Sequence, residues 1–222
     1  MSCAREDVSI EIAGEDFTKL FSAYLPKIYK GWTNPRRYVK ILNVYIDKQI
    51  DKGGRRMDNI IFIGMPAVGK STVGVIVAKQ LGYGFIDTDL LIQEEEGKLL
   101  KDIIKERGIE GFLDVEDRVN AKVAARRTVI SPGGSVVYCE NAMKHYKEIG
   151  KVVYLQASFE TINKRLSDAK NRGVVLKPNQ TLRDLYDERV RLFEKYADIT
   201  VCEDGQSLED TVDSVLGSVI VS

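Results

Sequence analysis

From residue 57 onward the chain alternates short, largely apolar runs with longer stretches whose apolar residues recur every three or four positions. The short runs are Ile60–Ile63, Gly84–Ile86, Thr128–Ile130, Val152–Leu155 and Asp198–Val201. Mostly rich in Ile and Val and too short for helices, they predict buried strands. The periodic stretches predict helices over Ser71–Leu81, Leu90–Arg107, Val115–Ala125, Glu140–Glu148, Phe159–Ala169, Leu182–Tyr196 and Ser207–Leu216. This alternation predicts an α/β fold, a mostly parallel sheet covered on both faces by helices. In such sheets ligands sit at the carboxyl ends of the strands, so the residues just after each strand are where chemistry is to be sought.

Residues 1–56 are read as a separate N-terminal extension and 57–222 as the main domain. Phe17–Ile28 and Tyr38–Ile50 carry helical spacing, Asn34-Pro35 breaks them apart, and Gly53-Gly54-Arg55-Arg56 reads as a polar linker. Met57 is also a candidate natural start, with the preceding segment an upstream addition. No catalytic pattern falls in the extension.

The strongest chemical signal follows the first strand. Gly64, four residues, then Gly69, Lys70 and Ser71 match the phosphate-binding pattern G-x-x-x-x-G-K-[ST] between a strand and a helix. Glycines let the backbone wrap an anion, and the helix starting near Lys70 aims its positive end at the phosphates. Lys70 reaches the β- and γ-phosphates and the Ser71 hydroxyl suits Mg²⁺. A Gly-rich turn is the bland alternative, but strand, loop and helix fall in the order the motif requires.

After the second strand come Asp87 and Asp89, placed by the pleat on one side of the strand end. Beside a triphosphate, one orders Mg²⁺ and its waters while the other meets an acceptor hydroxyl; helix capping by Asp89 is the structural alternative. Gly133-Gly134 follows the third strand and permits close backbone approach to a ligand. Residues 168–180 have the composition of a mobile lid, in which Arg172 can close on the phosphates. Arg189, beside the apolar stripe of its helix, is either a surface charge or a bidentate clamp for a carboxylate.

Composition narrows the setting. Lys plus Arg and Asp plus Glu are equal at 33 each, which argues against a general nucleic-acid surface. The single histidine makes a histidine-based triad unlikely and rules out a histidine metal cluster. The three cysteines, Cys3, Cys139 and Cys202, are far apart and form neither a zinc pattern nor a disulfide framework, which points to a reducing compartment, the cytoplasm. No apolar run approaches the length of a membrane span. Nothing in the sequence specifies an oligomeric state.

Together, GMPAVGKST, Asp87-Thr88-Asp89, Gly111-Phe112 with Glu116, the glycine pair, Arg172 and ERVRLFEKYADITV from Glu188 resemble the shikimate kinase family over about 165 residues, from Met57 to the C-terminus. The resemblance implies a three-layer P-loop fold with a five-stranded parallel sheet in the order 2-3-1-4-5, a lid and a substrate-binding helical region. It implies ATP-dependent phosphorylation of a hydroxyl on a small metabolite, with Mg²⁺. By position, Gly64, Ala67, Val68, Gly69, Lys70, Ser71 and Thr72 hold the phosphates, with Ser71 and Asp87 serving the metal. Asp89 meets the hydroxyl, Gly133 and Gly134 line the acceptor, Arg172 contacts ATP, and Arg189 clamps a carboxylate.

Three places depart from the pattern. Leu113 stands where the family carries an arginine that helps anchor that carboxylate, Pro132-Gly133-Gly134 replaces a glycine triplet, and Gly173-Val174-Val175 follows Arg172 in the lid. The nucleotide half is intact and the acceptor half altered. The acceptor is therefore shikimate or a related hydroxylated molecule. A nucleotide-binding regulatory protein without turnover is the reading from another class, with adenine contacts expected near Glu203–Gln206. A P-loop GTPase is disfavoured, since no Asn-Lys-x-Asp follows a late strand.

Overall fold

The computed structural model describes residues 11–12, 15–16, 59–168, 176–177 and 179–221. Two units are distinguished, Met1–Asn43 and Val44–Ser222. In the first, Glu11–Ile12 pairs antiparallel with Glu15–Asp16. The helices expected over Phe17–Ile28 and Tyr38–Ile50, the linker at 53–56, and Arg172 with its neighbours in the lid lie outside the described residues.

The second unit is built on five parallel strands: β1 (Asn59–Ile63), β2 (Gly84–Asp87), β3 (Thr128–Ser131), β4 (Gly150–Gln156) and β5 (Ile199–Cys202). Their order across the sheet is β2-β3-β1-β4-β5. The central strand β1 pairs with β3 through Ile60 and Val129 and with β4 through Ile61 and Val152. Every residue of β1 is buried, as a strand flanked on both edges and both faces must be. Each fully buried Ile or Phe there contributes about 1.5–3 kcal/mol relative to exposure.

Asn59 is the polar exception in that strand, 1% exposed. Its amide donates to Ala125 O and Ile149 O, both at 2.9 Å, and its Oδ1 accepts from Thr128 N at 3.2 Å. One side chain thus ties the entries of β3 and β4 to β1. Asn59→Ala leaves two carbonyls and an amide without that partner, and urea unfolding should show a loss of about 3 kcal/mol. A loss within about 0.5 kcal/mol, the range of an ordinary surface change, would contradict this role.

The helices are α1 (Lys70–Leu81), α2 (Thr88–Glu96), α3 (Leu100–Asn120), α4 (Glu140–Ile149), α5 (Phe159–Asp168), α6 (Leu182–Tyr196) and α7 (Leu208–Val221), with a short 3-10 turn at Val136–Tyr138. Several boundaries differ from the periodicity: the helix expected to reach Ala125 ends at Asn120, the last one runs past Leu216 to Val221, and two breaks are set by glycines. The stretch expected to run as one helix from Leu90 to Arg107 stops at Glu96, because Gly97 takes φ 63° and caps it. The chain restarts at Leu100 and bends at Gly108 (φ 71°), so the former gap between two expected helices is a kink within α3. Apolar spacing runs through both sites, and only the glycines mark them. Across this bend Ile92, Ile103, Phe112, Val115 and Val119 pack into one cluster.

Helix α6 starts at a reciprocal cap: Thr181 Oγ1 accepts from Asp184 N and Asp184 Oδ2 from Thr181 N. Leu185, Arg189 and Phe193, four apart, form its buried face. Phe193 stacks on Tyr154 of β4 with ring centroids 5.0 Å apart. The arginine therefore lies in the middle of an otherwise apolar stripe, pinned from both sides.

Candidate active site

The loop after β1 closes tightly. Gly64 has φ 148°, and a Cβ on it would stand 2.6 Å from Leu155 O, so no other residue fits between β1 and β4. Ala67 also takes a positive φ, 64°, and Gly69 (φ 112°) leads into α1 with no side-chain cap. The first-turn N–H groups of α1 thus face the loop cavity without a side-chain acceptor, the arrangement that binds phosphate. Val68 is buried beneath the loop, while Ser71 and Thr72 are exposed at its rim. Lys70 Nζ folds back to donate to Gly64 O at 3.0 Å and Met65 O at 3.2 Å.

Beyond β2, Asp87 links the loop to the start of α2. Its Oδ2 accepts from Ser71 Oγ at 2.9 Å and its Oδ1 from Asp89 N at 3.1 Å. Asp87, not Asp89, is thus the cap of α2, which leaves the Asp89 carboxylate free of that duty. Burial, with the negative charge of Asp87 beside it, raises the Asp89 carboxyl to about 6, against the opposing pull of Lys70. Ser131 Oγ at the end of β3 lies 3.3 Å from Ser71 Oγ.

Ala67, Gly69, Lys70, Ser71 and Thr72 line one part of a cavity of about 770 Å³. Asp87, Asp89, Leu113, Gly133, Gly134 and Arg189 line it as well. A Cβ on Gly133 would meet Glu116 Oε1 at 2.6 Å and Asp89 Oδ1 at 3.1 Å, so the glycine lets two carboxyl groups approach the same wall. Gly134 packs against Pro66, which ties the wall to the phosphate loop.

Glu116 carried no assigned role in the sequence, yet it is wholly buried and its Oε1 has no hydrogen-bond partner. Burial pushes its carboxyl up to about 7; Ser135 opposes that, Asp89 adds to it, and Arg189 and Lys70 oppose it. The sign for stability follows. The folded carboxyl holds its proton to about pH 7 whereas the unfolded one releases it near 4.5, so the fold loses stability as pH rises between them. Glu116→Gln removes that loss: relative to wild type it should be more stable at pH 8 than at pH 5 by about 3 kcal/mol. Denaturation at the two pH values checks this, and an equal difference at both would contradict it.

At the other end, Arg189 is 7% exposed and its Nε has no hydrogen-bond partner. Its guanidinium carbon lies 5.4 Å from the Tyr138 ring centroid. The neighbouring carboxylate of Glu188 is engaged elsewhere, accepting from Gln180 Nε2 at 3.0 Å and lying 3.7 Å from Lys177 Nζ. Leu113 presents an apolar side chain to the same cavity. No arginine of α3 takes its place, since Arg107 pairs with Glu96, and Arg118 with Glu95 and Glu96.

A second bracket holds the loop from outside. Arg165 Nη1 donates to Val68 O at 2.8 Å and to Glu203 Oε2 at 2.8 Å. Glu203 is 5% exposed, so the segment expected to read adenine brings a buried carboxylate against the phosphate loop. Sequence reasoning placed Glu203 near the adenine but did not pair it with Arg165, because the pair spans 38 positions and has no local pattern.

The arrangement has known counterparts. A family model described as shikimate kinase matches residues 66–219. The chain is 34% identical over 164 residues to the shikimate kinase of Persephonella marina, covering 73% of this chain and 99% of that protein. It is 38% identical over 143 residues to a shikimate kinase of Clostridium botulinum, covering 63% of this chain and 84% of that one. Among solved structures it is similar to "Shikimate kinase from Acinetobacter baumannii in complex with shikimate", with a TM-score of 0.66 and 30% identity, covering 72% of this chain and 91% of that chain. The family model spans most of the chain and the strand order agrees, so the chain belongs to the shikimate kinase family and is an ATP-dependent small-molecule kinase of that type.

Proposed function

We propose that this protein transfers the γ-phosphoryl group of ATP to a hydroxyl of shikimate. One observation carries the reading: a single cavity has a phosphate loop and the raised-pKa Asp89 at one end, and a buried guanidinium without a carboxylate partner among the described residues at the other. A small acid bearing hydroxyl groups satisfies both ends. The names of the relatives, and the shikimate in the complex of the Acinetobacter baumannii protein, support that choice.

In this mechanism the loop residues Gly64, Ala67, Val68, Gly69, Lys70, Ser71 and Thr72 hold the triphosphate through backbone N–H groups, with Lys70 leaving its carbonyl partners for the β- and γ-phosphates. Ser71 Oγ and Asp87 Oδ2, 2.9 Å apart, are hard oxygen donors that suit Mg²⁺, which binds through one or two protein oxygens plus phosphate and water. When bound, that ion neutralises charge on the phosphates. Arg189 holds the acceptor's carboxylate and Gly133 and Gly134 let the acceptor lie against backbone. Asp89 takes the proton as the hydroxyl oxygen bonds to the γ-phosphorus and the bond to the β-phosphate oxygen breaks, releasing ADP. Arg172 belongs to the lid, whose closure excludes water and suppresses hydrolysis. The setting is cytoplasmic; Cys139 and Cys202 are free thiols, as a reducing compartment allows, and no described helix is long and apolar enough to cross a membrane.

ADP release from Mg²⁺-ATP tests the reading, with shikimate and a panel of other hydroxylated small acids. Shikimate should accelerate release well above bare hydrolysis, with a KM in the ordinary range of about 1 μM to 1 mM. Acceleration by another compound and not by shikimate would re-address the pocket. No acceleration by any acceptor, with ATP still bound, would favour a nucleotide-binding regulator.

A further inference from the structure

The acceptor wall contains a second polar atom beside Arg189 that the proposed roles leave unused. Tyr138, at the end of the 3-10 turn that follows the glycine pair, lines the same cavity. Its hydroxyl is shielded from solvent and, like Arg189 Nε, makes no well-formed hydrogen bond in the protein, although Arg189 and Glu188 both lie close enough to act on it. Its ring supports the Arg189 guanidinium, and Lys177 Nζ lies 5.8 Å from the ring centroid. Buried polar atoms are ordinarily satisfied, and two orphans side by side on one cavity wall call for one ligand group that satisfies both. Both are donors, so that group is an acceptor. The Arg189 guanidinium makes it an anion, since the one carboxylate near the hydroxyl, Glu188, is already paired with Lys177, and the apolar side chains of Leu113 and Leu185 suit the carbon skeleton that carries it.

We propose that Tyr138 determines specificity for the acceptor's carboxylate, donating its phenolic hydrogen to one carboxylate oxygen while Arg189 binds the group from the neighbouring side. This rests on the reading of the cavity as a hydroxy-acid site and adds a residue to it. A carboxylate has about four lone-pair sites, enough for a bidentate guanidinium and a hydroxyl together. Tyr138 thereby supplies the second contact on a pocket edge where Leu113 supplies none. Burial raises the phenol above its ordinary value, so it remains a donor throughout the working pH range.

Tyr138→Phe tests this, because it removes one oxygen and keeps the ring against Arg189. Steady-state kinetics of wild type and variant are compared on shikimate and on its methyl ester, which has the same ring and hydroxyls but no anionic oxygen. KM for shikimate should rise about ten- to a hundredfold, the worth of one hydrogen bond to a charged group. The kcat and the KM for ATP should stay within about twofold, and the KM for the ester should change far less than that for the acid. An unchanged KM for shikimate would overturn the inference. So would an equal rise for acid and ester, which is the mark of a packing role. Wild-type protein that neither turns over nor binds shikimate would overturn the functional reading and this inference with it.

Discussion

Asp89→Ala lowers kcat for acceptor-dependent ADP release by about 10²- to 10⁴-fold, the usual contribution of a positioned acid–base group, while ATP binding stays near its wild-type value. The expectation rests on how Asp89 is held. Its backbone N–H is bonded to Asp87, which fixes the start of α2, but its carboxylate caps nothing and faces the cavity beside Gly133. Burial and the neighbouring Asp87 raise its carboxyl to about 6. A base with that value is stronger than an ordinary aspartate and still deprotonated at neutral pH. The sign is then determined: the charged form is the active one, so kcat/KM falls as pH drops through about 6. Asp89→Asn should show the same loss without the acid limb. Loss of ATP binding in both variants would instead mark Asp89 as part of the nucleotide site.

Arg189→Met raises the KM for shikimate by about a hundredfold or more, as expected when one member of a buried, hydrogen-bonded charge pair is removed. The same change should leave folding stability unchanged or improve it. Arg189 is 7% exposed with an unpartnered Nε, and a buried charge with no salt-bridge partner among the described residues opposes folding. Affinity and stability moving in opposite directions is the signature of a group retained for binding. Arg189→Lys keeps the charge but not the planar fork, and it should recover only part of the affinity. A large drop in melting temperature with KM unchanged would identify Arg189 as a structural residue.

The strands and the phosphate loop were legible because each rests on a local pattern, whereas the order of the strands came from the family resemblance. Largely apolar runs of three or four residues can satisfy themselves only inside a parallel sheet, and the Gly64-to-Ser71 spacing serves one kind of ligand. Helix ends were less legible, since the apolar spacing of Leu90–Arg107 continues across Gly97, and the turn there is set by backbone conformation rather than by side-chain pattern. The aspartates were found, but the division of labour between them was not. That Asp87 and not Asp89 caps α2 depends on where β2 ends, one residue later than its apolar run. Glu116 was visible only as part of the family pattern and Tyr138 not at all, because their meaning comes from burial and missing partners, and these exist only once α3, the glycine wall and α6 are assembled. Arg189 stood between the two cases: its helix was visible, but whether it faced solvent or cleft required the packing of Phe193 on Tyr154.

Leu113 is the departure that bears most on specificity. It lines the cavity with an apolar side chain, and the arginines nearest to it along α3 are committed to Glu95 and Glu96. In the proposed binding mode the carboxylate is therefore left to Arg189, with Tyr138 as the second donor. The central claim is that one cavity orients a hydroxy acid between the phosphate loop and this clamp. A crystal structure of the protein with shikimate and ADP tests it most directly. The account predicts the carboxylate against Arg189 and Tyr138, and a ring hydroxyl within about 3.2 Å of an Asp89 oxygen on the side facing the loop. Shikimate bound with its carboxylate away from Arg189, or with no hydroxyl within reach of Asp89, would contradict it.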